Sequence, residues 1–249
     1  MQVQTVNPKR LLIVQHMEWE GPGKHLLSAL ERAGVGYETC RAWREPLPPI
    51  GRFGALVVLG GSPNVGETDR YPYLAGLEAA IREVLASGRA YLGFCLGHQL
   101  LAHVLGCRVG PLARKSVGFA TGRLTPEGSA HPAFRGLPES FPLFKWHGQG
   151  VLPPLPPEVD VLATSPGVDV EAIGLRGNPR VLGLQFDNHA GAEDAARWLA
   201  EDRAWAASET DLAHLAPEEF AARAAAEEPR IGRWFRAFLE SFLALAGLA

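Results

Sequence analysis

The stretch Leu92–Ala102, LGFCLGHQLLA, sets Cys95 between Gly93 and Gly97. An apolar run precedes the cysteine and an apolar helical pattern follows it, so Cys95 falls at a strand-to-helix junction. Glycines two residues away on either side permit a sharp turn that pushes one side chain out beyond the sheet end. This is the cysteine form of the nucleophile elbow. A helix N-terminus beneath the sulfur favours thiolate through its dipole. The plain alternative is a small hydrophobe in a core strand. Cys40 and Cys107, which have neither glycine pair nor junction, read that way.

A nucleophilic thiol needs a base. The stretch Leu182–Gly191, LGLQFDNHAG, offers Asp187 and then His189. Residues i and i+2 of a strand share a face, so a strand continuing through this stretch would turn both toward the sulfur. His98, three residues along the helix from Cys95, and His103 beyond it read as packing or surface groups. His16, His25, His131 and His214 have no local context that singles them out. Asp187 and His189 alone do not make a metal site, and Cys40, Cys95 and Cys107 lack ligand spacing. With no P-loop pattern either, neither metal nor cofactor is expected.

Around these residues, Arg10–His16, the stretch FGALVVLGGSP and the stretch RAYLGF are short apolar runs of the kind that form buried strands; VGYETCRAW is a further strand. GPGKHLLSALERAG has helical spacing with a stop at Gly34. Residues 73–87 form an amphipathic helix with Leu74, Leu77, Ile81, Val84 and Leu85 on one face. That alternation predicts an α/β fold with a mostly parallel central sheet and helices on both faces. In the second half, short strands are expected over 117–124, 141–146, 159–164, 171–175 and 181–186. They read as an antiparallel edge addition whose last strand returns to the main sheet. From Ala192 onward the chain turns helical, and Pro217 suits the first turn of a helix. Ile231, Trp234, Phe235, Phe238, Phe242 and Leu245 then line one stripe. The stripe either docks on its own domain or serves a partner or homodimer interface. Residues 1–200 are expected to form the α/β domain and residues 201–249 a helical extension packed on it.

The 249 residues carry 47% apolar and 20% charged side chains and a net charge of −3, a balance that gives no reason to expect nucleic acid or an anionic membrane as partner. No signal-like apolar segment opens the sequence, and no run approaches the ~18 apolar residues of a membrane span. Three sparse cysteines point to a reducing, cytoplasmic setting.

The residues quoted resemble the class I glutamine amidotransferases, which have a flavodoxin-like core. VVLGGSPNV, the run from Tyr71 to Gly106, FKWHGQGVLPPLP and VLGLQF fall in that family's order and spacing. The resemblance implies that Cys95 attacks a glutamine carboxamide, forms a glutamyl thioester and releases ammonia. It implies an oxyanion hole from the backbone N–H groups of Gly61 and Leu96. It places Gln99, Trp146, His147 and Gly148 near the substrate, and an ammonia acceptor on a separate subunit. Where the family reads Gln-Phe-His-Pro-Glu, however, this chain reads Gln185-Phe186-Asp187-Asn188-His189, so a carboxyl stands at the base position and an imidazole at the orienting acid's. Ser116 and Gln149 are further departures. A carboxylate near the sulfur raises the thiol pKa and cannot protonate departing ammonia unless its own pKa is strongly raised. Two readings stay open. One is an enzyme acting on glutamine or a γ-glutamyl compound with impaired turnover, through Cys95, Asp187 and His189. The other is a non-catalytic homologue that binds a small amino-acid-like ligand or a partner protein.

Overall fold

A computed structural model describes residues 9–208, 210 and 215–249; His214 lies outside them. Nine strands form one sheet: β1 (Arg10–Gln15), β2 (Gly36–Arg41), β3 (Ala55–Val58), β4 (Ala90–Phe94), β5 (Arg108–Leu124), β6 (Ser140–Leu152), β7 (Val159–Ser165), β8 (Val168–Leu175) and β9 (Asn178–Leu184). Their spatial order is β2-β1-β3-β4-β9-β8-β7-β5-β6. The first five in that order are parallel and the remaining pairs antiparallel. The expected architecture is the one observed.

The helices are α1 (Lys24–Ala33), α2 (Tyr73–Ala86), α3 (Leu96–Val104), α4 (Pro126–Ala130), α5 (Ala192–Ala207) and α6 (Pro217–Leu245). Central strands covered on both faces must be apolar at every position, and β3 and β4 are buried throughout. Alternate residues then serve opposite layers. Leu11, Ile13, Val57 and Leu92 pack with α1 and α6 residues such as Leu26, Leu30 and Phe235. Leu12, Val14, Leu56 and Val58 pack with α2 and α3 residues such as Leu77, Ile81 and Leu100.

The aromatic stripe of α6 is an internal one. Ile231, Trp234, Phe235, Phe238 and Phe242 are buried, and Trp234 stacks on Phe141 at 4.4 Å and on Phe238 at 5.6 Å between ring centroids. Pro217 sits in the first turn of α6, and Pro229 lies within it. The boundary expected at residue 200 falls inside α5.

Two expectations about the strands need correction. The strands expected over 117–124 and 141–146 are the ends of a longer ribbon, β5 with β6, whose register shifts between Pro111 and Ser116. More consequential for the site, β9 stops at Leu184. Phe186 and the residues after it are turn, so the same-face rule does not govern Asp187 and His189.

Candidate active site

Cys95 joins β4 to α3 at the carboxyl end of the parallel strands, where open α/β sheets place their sites. Its backbone is held at φ 46° and ψ −103°, and it is the one non-glycine residue of positive φ among the described residues. Such geometry costs about 1–3 kcal/mol and persists only where its surroundings impose it. The flanking glycines show what imposes it. A Cβ on Gly93 would lie 2.4 Å from the Gly97 carbonyl carbon, and one on Gly97 would lie 2.2 Å from the Val58 oxygen. The elbow closes only without those side chains.

The thiol lines a cavity of about 390 Å³ with Trp19, Glu20, Gly61, Gln99, Lys115, Trp146, His147, Gly148, Asp202 and Trp205 among its walls. Every residue the sequence assigned to substrate therefore reaches the same cavity as Cys95. Gln99 is already engaged, since its Nε2 donates to the Gln149 carbonyl at 3.1 Å and to Gln185 Oε1 at 3.2 Å. Trp146 donates from Nε1 to Asp202 Oδ2 at 3.1 Å, and its carbonyl stands 3.9 Å from the Cys95 sulfur. His147 is buried, and burial lowers its pKa to about 3, leaving a neutral ring. The candidate oxyanion donors are both at the cavity or the thiol. Gly61 lines the cavity, and the Leu96 N–H is directed at the sulfur.

Asp187 and His189 occupy the turn after β9. His189 Nε2 lies 3.6 Å from Asp187 Oδ1, and both side chains are fully buried. His189 is anchored away from the cavity. Its carbonyl accepts from the His25 and Leu26 N–H groups at the start of α1, and its ring packs on Phe94 at 4.6 Å and Trp198 at 6.1 Å. Burial lowers its pKa to about 4. Burial, then Glu171, pushes the Asp187 carboxyl well above the usual range, and neither oxygen has a hydrogen-bond partner. Glu171 itself is paired with Lys145 in the interior. Burial thus favours the acid form of Asp187 over its carboxylate.

Burial also pushes the Cys95 thiol well above its ordinary value, followed by the charges of Asp187 and Glu20; the Leu96 N–H and the Gln185 side chain pull it back. The helix dipole expected to favour thiolate is outweighed. The other histidines among the described residues serve the fold. His98 sits under Gly183, neutral, with its pKa lowered by burial to about 3. His16 packs under Gly61 with Nδ1 3.2 Å from the Tyr73 hydroxyl. His25 contacts the Asn188 carbonyl at 2.9 Å, and His103 is a surface group near Glu78. His131 caps the 3-10 turn after α4. Among the described residues no cluster of His, Cys, Asp and Glu is arranged to hold a metal ion, and no helix is long and apolar enough to cross a membrane.

Sequence reasoning missed Glu20, together with Trp19, Lys115, Asp202 and Trp205. Trp19 and Glu20 could have been found, because the loop after β1 leaves the sheet at the same carboxyl end as Cys95. Asp202 and Trp205 arrive from α5, and nothing local in their sequence announces the cavity.

A family model described as glutamine amidotransferase class-I matches residues 24–189. The chain is 36% identical over 152 residues to the glutamine-hydrolyzing GMP synthase of Thermomicrobium roseum, covering 61% of this chain and 25% of that protein. It is 34% identical over 168 residues to one subunit of the glutamine-hydrolyzing GMP synthase of Ignicoccus hospitalis, covering 67% of this chain and 82% of that one. The HisH subunit of the imidazole glycerol phosphate synthase of Symbiobacterium thermophilum is 31% identical over 187 residues, covering 69% and 78%. The chain thus spans only a quarter of the Thermomicrobium protein but most of the two subunits. In fold it is similar to a glutamine amidotransferase of Thermotoga maritima, with a TM-score of 0.82 at 24% identity over 94% of this chain and 97% of that one. With two thirds of its length inside the family model, the chain belongs to the class I glutamine amidotransferases.

Proposed function

We propose that this protein hydrolyses the side-chain amide of glutamine, or of a γ-glutamyl compound, through a thioester on Cys95. The observation that carries the reading is the strained Cys95 backbone, which holds the sulfur at the wall of a cavity of about 390 Å³. In the first half-reaction the sulfur bonds to the amide carbon, and the carbonyl electron pair moves onto oxygen. The N–H groups of Leu96 and Gly61 would receive that oxyanion. Ammonia leaves when the C–N bond breaks, and water then cleaves the thioester to the acid. Two of the relatives are named as subunits, one of a GMP synthase and one of an imidazole glycerol phosphate synthase. That supports an ammonia acceptor on a separate chain.

A second reading has its own observation. With burial and two carboxyls outweighing the Leu96 N–H and the Gln185 side chain, the thiolate is disfavoured, as expected of a homologue that binds a small amino-acid-like ligand without turning it over. A glutaminase assay on the purified protein, with Cys95→Ser as control, separates the two. Ammonia release that Cys95→Ser abolishes supports hydrolysis. Stabilisation by glutamine without any release supports binding alone.

A further inference from the structure

Glu20 is not among the residues that the sequence singled out, yet its carboxyl lies beside the thiol-bearing side chain in the cavity wall. It is 5% exposed, it faces the cavity, and it lies over Gly60. A Cβ built on Gly60 would stand 2.0 Å from Glu20 Oε1 and 3.2 Å from Cys95 Cβ. The carboxyl and the cysteine side chain therefore meet over one glycine, and only a residue without a side chain fits beneath them. No hydrogen bond from the described residues holds the Glu20 carboxyl. Asp187 reaches the same thiol from the β9 side, but it does not line the cavity.

We propose that Glu20 is the acid–base residue for Cys95, in a site where no imidazole among the described residues contacts the sulfur. This rests on the hydrolytic reading above and names the group that moves its proton.

The charges around the pair fit that role. From the loop after β1 come Glu20 and His16, the latter neutral because burial lowers its pKa to about 3. The turn after β9 supplies Asp187 and a neutral His189. From α5 comes Asp202, raised by burial. From β6 come neutral His147 and Lys145, which is committed to Glu171 of β8. From β5 comes Lys115, which donates to the Trp205 carbonyl at 3.1 Å and packs on the Trp205 ring. Among the described residues no cation is directed at the thiol, so the negative charges of Glu20 and Asp187 are not offset there. Burial and then Asp187 and Asp202 push Glu20 well above the usual carboxylate range.

The proton balance closes without a further reactant. With Glu20 ionised, its carboxylate takes the Cys95 proton as sulfur bonds to the amide carbon, so one negative charge moves within the site and none is created. The oxyanion collapses, a carboxyl proton goes to the departing nitrogen, and ammonia leaves. In the second half the carboxylate takes a proton from water as its oxygen attacks the thioester. That proton returns to sulfur when the C–S bond breaks. Glu20, not Asp187, can reach the substrate nitrogen, because it is Glu20 that faces the cavity.

The test compares wild type with Glu20→Gln and Glu20→Asp by two readouts, glutaminase kinetics against pH and the pH profile of iodoacetamide alkylation at Cys95. Circular dichroism checks that each variant is folded. Glu20→Gln should lower kcat by about 10²-fold or more, and Glu20→Asp should recover part of it. The same Glu20→Gln change should move Cys95 alkylation to lower pH by about a unit or more, since a negative neighbour is removed. Turnover falls while the thiol becomes more reactive, a pair of changes that a merely loosened fold does not give. A raised KM with kcat and its pH profile intact would make Glu20 a substrate-binding group and overturn the proposal. So would an unchanged alkylation profile. If Cys95-dependent ammonia release is absent from the wild type, the hydrolytic reading fails, and Glu20 as the proton partner of the thiol is then judged by alkylation alone.

Discussion

His189 Nε2 stands 3.6 Å from Asp187 Oδ1 in a fully buried turn, and of this pair it is the carboxyl whose charge is felt at the Cys95 sulfur. The imidazole packs on Phe94 and Trp198, and the residue's own carbonyl accepts from the His25 and Leu26 N–H groups at the start of α1. Gly23, with φ 69°, shows how tightly that seat is built, for a Cβ there would lie 2.4 Å from the His189 oxygen. The His189 backbone is therefore fixed by the start of α1. Asp194 adds to the constraint by accepting from the N–H groups of both Lys24 and Gly191 at 2.9 Å.

Among the three cysteines, Cys95 alone lines the cavity, whereas Cys40 and Cys107 are buried thiols pushed up by burial to about 11. Alkylation of the native protein near pH 8 followed by peptide mapping should label Cys95 first. Earlier labelling of Cys40 or Cys107 would show that the cavity does not give access to the sulfur.

The strain at Cys95 has a measurable consequence for stability. At φ 46° an alanine suffers the same backbone cost as cysteine, while glycine does not. Cys95→Gly should therefore be more stable than Cys95→Ala by about 1–2 kcal/mol, read from urea denaturation. Equal stability of the two would mean that the elbow is relaxed in solution.

Much of this architecture was legible in the sequence because strand and helix periods differ. The all-apolar runs at Leu11–Val14 and Ala55–Val58 can only be central strands, and Gly93 and Gly97 announce the elbow. What was not legible depends on distant packing. The end of β9 at Leu184 is set where Asp187 N–H turns to the Phe144 carbonyl, at 2.8 Å, and Asn188 Oδ1 accepts from Phe144 N–H. Nothing between residues 181 and 189 marks that change of partner. Glu20 could be placed at the right end of the sheet but not in the cavity wall, since a glutamate in a loop reads as solvated until Gly60 is seen beneath it.

The α6 stripe belongs to the core of the same chain. Trp234 stacks between Phe141 and Phe238, and both contacts are nearly coplanar, at 7° and 4°. Trp234→Ala should cost about 3–5 kcal/mol, and truncation before Ile231 should expose the face of β1 and β3 and lower both solubility and Tm. A truncated chain of unchanged Tm that has lost only a dimer would place the stripe at an interface.

Stability should fall on the alkaline side because of the same carboxyls. An acid whose folded pKa is raised keeps its full contribution below its unfolded value near 4 and loses it as pH rises through the folded value. Glu20 and Asp187 are both raised in the fold. Asp187→Asn and Glu20→Gln should thus match wild type near pH 4 and become the more stable proteins toward pH 8. Each pH unit inside that window is worth roughly 1.4 kcal/mol. Melting temperatures measured across pH check this, and parallel wild-type and variant profiles would show that the buried acids ionise normally.

The final prediction exchanges the two residues of the turn. Asp187→His with His189→Glu puts an imidazole beside Cys95 and a carboxylate behind it to orient the ring, the order the family uses. An imidazolium beside the sulfur stabilises thiolate where Asp187 opposed it, so Cys95 alkylation should shift to lower pH and glutaminase turnover should rise. General acid–base help of this kind is commonly worth about 10²–10⁴-fold. The exchange should also relieve Glu20 of its role. In the exchanged background Glu20→Gln should cost far less turnover than in the wild type, a non-additivity expected only of groups that share one task. If Glu20→Gln costs the same in both backgrounds, the two residues act independently, and the carboxyl at 20 is not standing in for the missing base.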